Sequence, residues 1–136
     1  MNVLRVLPLA VTLVCPCART QSKPAEPRLA CNRLALSADA RKRHFDVLGP
    51  ALRRVHKRVR ELSDGYEFEF PNDAATLETL SEWVVGERLC CPFFEIDLRL
   101  GHGNGAVWLR LTGGGEVKQF IRSEVGPWFQ GAERTL

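Results

Sequence analysis

The sequence predicts an α+β domain, with a small, mainly antiparallel three-stranded sheet and about three helices packed on it. Two segments have apolar residues at helical spacing, and three show the alternation of apolar and polar residues that is typical of half-buried strands. A hairpin signal lies between the last two predicted strands, and only one pair of successive strands is connected through a helix. This order of elements favours an antiparallel sheet. The 136 residues, 45% hydrophobic and 26% charged, suffice for one domain with a small core.

The first predicted helix begins after Ser37, a favourable N-cap residue, and extends to Leu62. Its apolar residues recur at alternating spacings of three and four, at Phe45, Leu48, Leu52, Val55, Val59 and Leu62. The dipeptide Gly49-Pro50 falls inside this pattern. Because proline lacks a backbone donor and presses on the carbonyl group of Asp46, we expect a kink or a break there.

The first predicted strand covers residues 66–70, where three aromatic residues alternate with two glutamates. Asn72 is then expected to cap a second helix that ends near Leu89. The inner face of this helix is predicted to carry Leu77, Leu80, Val84, Glu87 and Cys91, with Trp83 and Cys90 beside them. The pattern therefore places a carboxylate and two thiols on the core side.

Two further strands are predicted at 96–100 and 107–112, and the Asn104-Gly105 dipeptide between them is a hairpin signal. Three consecutive glycines, Gly113, Gly114 and Gly115, lead into the last helix, which is expected to end near Gly126-Pro127. The N–H groups of these glycines could hold an anion at the start of the helix. A plain turn is the simpler interpretation.

The first 18 residues have the pattern of an export segment, a short positive start followed by an apolar run from Val6 to Val14. This run is too short to span a bilayer as a stable anchor. Residues 19–28 are then interpreted as a linker, 29–128 as the single α+β domain and 129–136 as a tail. Export to the periplasm is favoured over the alternative, a cytoplasmic protein with an N-terminal extension.

The adjacent cysteines Cys90 and Cys91 lie at the end of the second predicted helix, and Glu87 precedes them by one turn. If the export segment is removed, only Cys31 remains beside this pair, and three cysteines cannot all pair within one chain. The odd thiol favours metal occupancy, an intermolecular bridge or a redox role. Burial and the helix C-terminus disfavour a free thiolate, whereas a bound cation deprotonates its thiol ligands, so the pair fits a ligand better than a nucleophile.

Cys31, Cys90 and Cys91 together predict a site for a soft metal or metalloid ion. Three thiolates suit copper, mercury or trivalent arsenic, whereas four-coordinate zinc needs one more ligand. Glu87, His44 and His56 are candidates for that ligand, and His44 is preferred. Two alternatives stay open: thiol redox chemistry of the vicinal pair, and ordinary buried cysteines that act as small hydrophobic residues.

Other functions have weaker support in the sequence. Eight basic residues lie between Arg41 and Arg60 and could bind nucleic acid, but the solvated face of an amphipathic helix is the more usual explanation of such a run. No Ser/His/Asp order, carboxylate pair or nucleotide fingerprint stands out. Binding of an ion is therefore favoured over catalysis.

Three landmarks of the chain also occur together elsewhere. The segments Ala30-Cys31-Asn32, Glu87-Arg88-Leu89-Cys90-Cys91-Pro92-Phe93-Phe94 and Trp108-Leu109-Arg110-Leu111-Thr112-Gly113 resemble those of a group of short uncharacterised bacterial proteins, over roughly 29–125. The resemblance implies that Cys31, Glu87, Cys90 and Cys91 belong to one shared site pattern. It carries no activity over to this chain.

Overall fold

A computed structural model describes residues 29–129 of the chain. The predicted export segment (1–18), the predicted linker (19–28) and the tail beyond Phe129 lie outside the described residues. Within 29–129, no helix has both the length and the apolar character needed to cross a membrane. The described part has the predicted α+β architecture, with one correction to the number of strands.

A long helical run opens the described fold. It follows a short 3-10 turn (Arg33–Ala35) and consists of α1 (Ala38–Lys42), a π-helical segment (Arg43–Leu48) and α2 (Gly49–Val55). Ser37 caps it as predicted, because its hydroxyl oxygen accepts a hydrogen bond from the N–H group of Ala40 at 3.3 Å. The chain stays helical through Pro50 instead of breaking there, but the α-helical bonding is interrupted by the π-helical segment just before it: the N–H group of Gly49 donates to the carbonyl of His44, five residues earlier. Pro50 has no backbone N–H group to donate, and the wider π-type turn before it lets the helix continue without that hydrogen bond.

The first helix ends at Val55, so its predicted extension to Leu62 is wrong. Residues Arg58–Glu61 instead form strand β1, which pairs antiparallel with β2 (Gly65–Phe70) and gives the sheet four strands rather than three. Val59 packs against the core, while the arginines on either side of it bind the buried carboxylates of Glu67 and Glu69. A helix here would not align these arginines with the two glutamates, and unpaired buried carboxylates are unfavourable.

The sheet has the order β1-β2-β4-β3, in which β3 is Glu95–Leu100 and β4 is Val107–Thr112, and all neighbours are antiparallel. The predicted hairpin between β3 and β4 is present. Its left-handed residue is Gly103, with φ of 58°, rather than either residue of the Asn104-Gly105 dipeptide. The turn therefore differs from the two-residue type that the dipeptide predicts.

Helix α3 (Ala74–Cys90) carries most of the candidate site. Its N-cap is Asp73 rather than Asn72: the Asp73 carboxylate accepts hydrogen bonds from the N–H and hydroxyl groups of Thr76, both at 2.9 Å. The Asn72 amide instead donates to carbonyl groups of the β3–β4 hairpin loop. The helix ends at Cys90, next to Cys91, as the following Pro92 predicts.

The helices cover one face of the sheet and enclose the core. The chain closes with α4 (Gly115–Glu124) and a short α5 (Gly126–Phe129). One buried cluster joins inward residues of the sheet to residues of every longer helix: Leu48, Leu52, Tyr66, Phe68, Phe70, Leu80, Trp83, Val107, Leu109, Leu111, Val117, Ile121 and Trp128. A second, smaller cluster of Leu36, Cys90 and Cys91 lies where the N-terminal segment meets the end of α3.

Candidate metal and thiol site

Four predicted site residues converge at the C-terminal end of α3. Single ligand atoms from Cys31, Glu87, Cys90 and Cys91 all lie within 4.8 Å of one another, and every residue except Cys31 is buried. Helical spacing explains why Glu87 lies beside the vicinal pair. Cys31 comes from a distant part of the chain, so its position confirms the predicted convergence of the three sulfur atoms.

Two bonds hold Cys31 against the helix. The N–H group of Asn32 donates to the carbonyl of Cys90 at 2.6 Å, where the end of α3 leaves carbonyl groups without helical partners. Cys31 and Cys91 form a disulfide, with their Cα atoms 4.6 Å apart. The segment before the first helix is thus joined to the end of α3 by both a covalent bond and a backbone hydrogen bond.

Cys90 is the free thiol among the described cysteines, and it is fully buried. Its Sγ lies 3.6 Å from Sγ of Cys91 and 3.7 Å from Oε2 of Glu87. Burial raises the pKa of the Cys90 thiol to about 12, and the nearby Glu87 carboxylate acts in the same direction. The thiol is therefore protonated at neutral pH, in agreement with the effect that burial was predicted to have.

His44 reaches the site through Glu87 rather than through the sulfur atoms. Its Nε2 lies 3.1 Å from Oε1 of Glu87, and both side chains are buried. His44 does not belong to the group of four mutually close ligand atoms. Because a buried carboxylate needs a hydrogen-bonding partner, the contact orients Glu87 and leaves its second oxygen facing Cys90.

The His44 ring has closely packed surroundings that sequence analysis did not predict. It stacks on Trp83 with a centroid distance of 5.7 Å and an interplanar angle of 12°. The ring also packs roughly at right angles to the ring of Phe45. It lies so close to Gly86 that a Cβ added there would be 2.4 Å from Nδ1 of His44. A glycine inside a helix was the available signal, since such residues often allow close packing.

The remaining predicted candidates lie apart from this cluster. His56 is the C-cap residue that follows α2, and its Nδ1 forms a hydrogen bond with the carbonyl of Arg53. Gly114 caps α4, and the N–H group of Gly113 already donates to the carbonyl of Asp64 at 3.2 Å. The anion site at Gly113, Gly114 and Gly115 stays a prediction.

The basic segment from Arg41 to Arg60 is partly neutralised within the fold. Three of its arginines bind carboxylates, in the pairs Arg43–Glu82, Arg58–Glu69 and Arg60–Glu67. Two of these pairs lie on the sheet face opposite the helices. This distribution leaves less unpaired positive charge than the sequence count of basic residues suggests.

Fold and site together define a small α+β protein in which three cysteine sulfur atoms and a carboxylate form a mostly buried cluster. Comparisons with family models, with curated proteins and with solved structures find no significant match. The function is therefore argued from the geometry and chemistry of the site.

Proposed function

We propose that this is a small thiol-rich protein that binds a thiophilic metal or metalloid ion through Cys31, Cys90 and Cys91, with Glu87 as a further ligand or as their partner. The observation that supports it is the convergence of these four ligand atoms within 4.8 Å. Metal–sulfur bonds of about 2.3 Å place two ligands of one tetrahedral ion roughly 3.8 Å apart. The 3.6 Å between the sulfur atoms of Cys90 and Cys91 fits this distance.

Binding with all three sulfurs requires the reduced form of the site. The Cys31–Cys91 disulfide occupies two of the three donors, so ion binding and this disulfide exclude each other. A thiophilic ion also displaces the proton of its thiol ligand, which overcomes the raised pKa of Cys90. Mercury, monovalent copper and trivalent arsenic suit the three sulfurs, and zinc would recruit Glu87 as the fourth ligand.

Titration of the reduced protein with mercuric ion and with arsenite tests the proposal. In the Cys15→Ser/Cys17→Ser background, which leaves only the three site thiols, we expect about one equivalent of each ion to bind, with ultraviolet thiolate-to-metal absorbance. The matched variant Cys15→Ser/Cys17→Ser/Cys90→Ser/Cys91→Ser keeps only Cys31 and should lack this absorbance. Equal uptake by the two variants, or none by the first, would contradict the proposal.

A thiol-redox protein is the second candidate, favoured by the disulfide with a third sulfur 3.6 Å from Cys91. In this scheme the Cys90 thiol transfers its proton to Glu87 and attacks Sγ of Cys91. A Cys90–Cys91 bond forms as the Cys31–Cys91 bond breaks, and Cys31 leaves as the thiolate. The exchange conserves electrons and changes only which pair is oxidised.

Mass-spectrometric mapping of disulfides at a series of glutathione redox potentials tests this second candidate. The redox function predicts that the Cys31–Cys91 disulfide is reduced reversibly and that a second disulfide, which includes Cys90, accumulates at intermediate potentials. A Cys90→Ser variant serves as the control, because it can form only the Cys31–Cys91 pair within the site. If the wild type and this variant show the same bridge at every potential, the exchange does not occur.

The raised pKa of Cys90 gives a prediction that applies to both candidates. In the folded, reduced protein at pH 8, alkylation of Cys90 by iodoacetamide should be at least about tenfold slower than for an ordinary thiol, because burial excludes the reagent and the pKa raised to about 12 lowers the thiolate fraction. The rate should increase as the pH is raised above 8. Mass spectrometry of timed samples measures it, and a rate equal to that of the unfolded chain at pH 8 would contradict the prediction.

We also propose that the protein works in an oxidising compartment after export. The export-like pattern of the first 18 residues supports this location, and so does the disulfide, since disulfides persist mainly outside the cytosol. In such a compartment, uptake of an ion follows reduction of the Cys31–Cys91 bond. Fractionation of cells that express the full chain, with N-terminal sequencing of the product, tests the location.

A further inference from the structure

A cavity of about 460 Å³ adjoins the thiol site. Its wall includes Cys31 and Glu87 from the site together with the aromatic side chains Phe45, Trp83, Phe94, Phe120 and Trp128. An ion bound at Cys31 would therefore lie at the wall of an aromatic chamber. A bare ion leaves this volume unused.

Four of these aromatic side chains form two contacting pairs with tilted rings. Phe94 and Phe120 have ring centroids 5.8 Å apart, and Trp83 and Trp128 have centroids 6.0 Å apart. Phe94 also packs against the small cluster that contains Cys90 and Cys91, so the chamber and the sulfur atoms are continuous. Aromatic walls of this kind favour contact with another flat ring.

We propose that the site takes trivalent arsenic that carries an aromatic substituent, with arsenic bound by Cys31 and Cys91 and the ring held in the aromatic chamber. This inference rests on the proposed function and names its ligand class. An arylarsonous acid has two hydroxyl groups on arsenic. Each thiol forms one As–S bond while one As–O bond breaks, and the thiol proton leaves with hydroxide as water, so arsenic keeps its oxidation state.

The number of sulfur ligands distinguishes this ligand from inorganic arsenite. Arsenite has three exchangeable hydroxyl groups and uses all three thiols, whereas an arylarsonous acid uses two and keeps its carbon as the third ligand. Cys31 and Cys91 are the pair whose Cα atoms lie 4.6 Å apart, and Cys31 lines the chamber. Cys90 then stays a thiol beside Glu87, in the buried position that it already occupies.

The chamber is large enough for the ring. A cavity of about 150 Å³ lined by apolar side chains accommodates benzene. The volume of about 460 Å³ thus leaves room for a substituted phenyl group, and it lies within the usual range of ligand pockets. A methyl substituent would fill only a small part of it.

Competition binding with three probes tests the inference: phenylarsine oxide, methylarsonous acid and arsenite. The protein is the reduced full chain carrying Cys15→Ser and Cys17→Ser, so that only the three site cysteines can bind. The affinity of the protein for each probe is divided by the affinity of dithiothreitol for the same probe, which removes the intrinsic preference of any dithiol for one arsenical over another. We expect the phenyl probe to bind about tenfold or more tightly than the methyl probe after this correction, since burial of the ring adds apolar contact. No phenyl preference after normalisation would overturn the inference.

Two variants locate the effect. Phe94→Ala should remove most of the phenyl preference, whereas Leu100→Ala, an exposed residue on an edge strand, should leave it unchanged. Cys90→Ser should weaken arsenite about a hundredfold by removing one tethered ligand, but change the phenyl probe by less than about threefold. Equal weakening of both probes by Cys90→Ser would overturn the assignment of Cys31 and Cys91.

The outcomes separate this inference from the function on which it rests. Arsenite that binds to the three thiols without any phenyl preference would leave the proposed function in place and remove only the aromatic ligand. Failure of all three probes together with mercuric ion would remove both. If Phe94→Ala lowers thermal stability, Phe94→Leu supplies a second test, because it keeps apolar volume but removes the flat ring.

Discussion

Reduction of the Cys31–Cys91 disulfide is expected to lower the free energy of unfolding by roughly 4 kcal/mol. The bond closes a loop of 60 residues, and the chain-entropy relation for a loop of this length gives a value of that size. The loop contains the first helix, two strands and all of α3, so the crosslink restricts more than half of the described residues in the unfolded state. Urea denaturation with and without a reductant measures the difference.

Two variants control for side-chain effects in this experiment. Cys31→Ser should unfold under oxidising conditions as the reduced wild type does, because both lack the crosslink. Cys90→Ser keeps the disulfide and should retain most of the stability, losing only a packing contribution of about 1 kcal/mol. A Cys31→Ser variant as stable as the oxidised wild type would show that the bond contributes nothing to folding.

Gly86→Val is expected to destabilise the fold by about 3 kcal/mol or more and to displace His44 from Glu87. A Cβ at this position would lie 2.4 Å from Nδ1 and 2.8 Å from Cε1 of the His44 ring. The ring cannot move away freely, because it also stacks on Trp83. Overpacking of a buried site by a few carbon atoms typically costs about 1–3 kcal/mol, and separation of His44 from Glu87 adds to this.

A pair of glycine-to-alanine variants tests the same contact with a smaller change. Alanine is the better helix former by about 1 kcal/mol, so without a clash both substitutions would stabilise. Gly115→Ala, at the start of α4 with no atom near its added Cβ, should be neutral or stabilising. Gly86→Ala should destabilise by about 1 kcal/mol, and a gain in stability at Gly86 would contradict the close packing of His44.

Much of the candidate site could be predicted from local sequence. Glu87 lies three residues before Cys90, which places both on one side of a helix, and Pro92 limits the helix to the residues before it. The high pKa of Cys90 also followed from its apolar neighbours. Local spacing could not predict the role of His44, because whether its ring contacts a sulfur or a carboxylate depends on how two helices pack.

The end of the first helix shows why the fold was predicted only in part. The apolar residues Val55, Val59 and Leu62 continue the helical spacing, but Arg58, Val59 and Arg60 equally fit the alternation of a strand. The choice depends on Glu67 and Glu69 in the next strand, which bind the two arginines across the β1–β2 pair. Such partners lie outside any local window, so tertiary contacts overrode the helical pattern.

By itself, the sequence determined the α+β class, the order of most elements and the placement of Glu87, Cys90 and Cys91 on one helix end. These features depend on periodicity and on backbone preferences that act within a few residues. Only the tertiary structure decided that Cys31 joins them, that His44 binds Glu87 and that an aromatic chamber adjoins the thiols. Each of these depends on residues far apart in the chain, whose meeting is set by packing of the whole core.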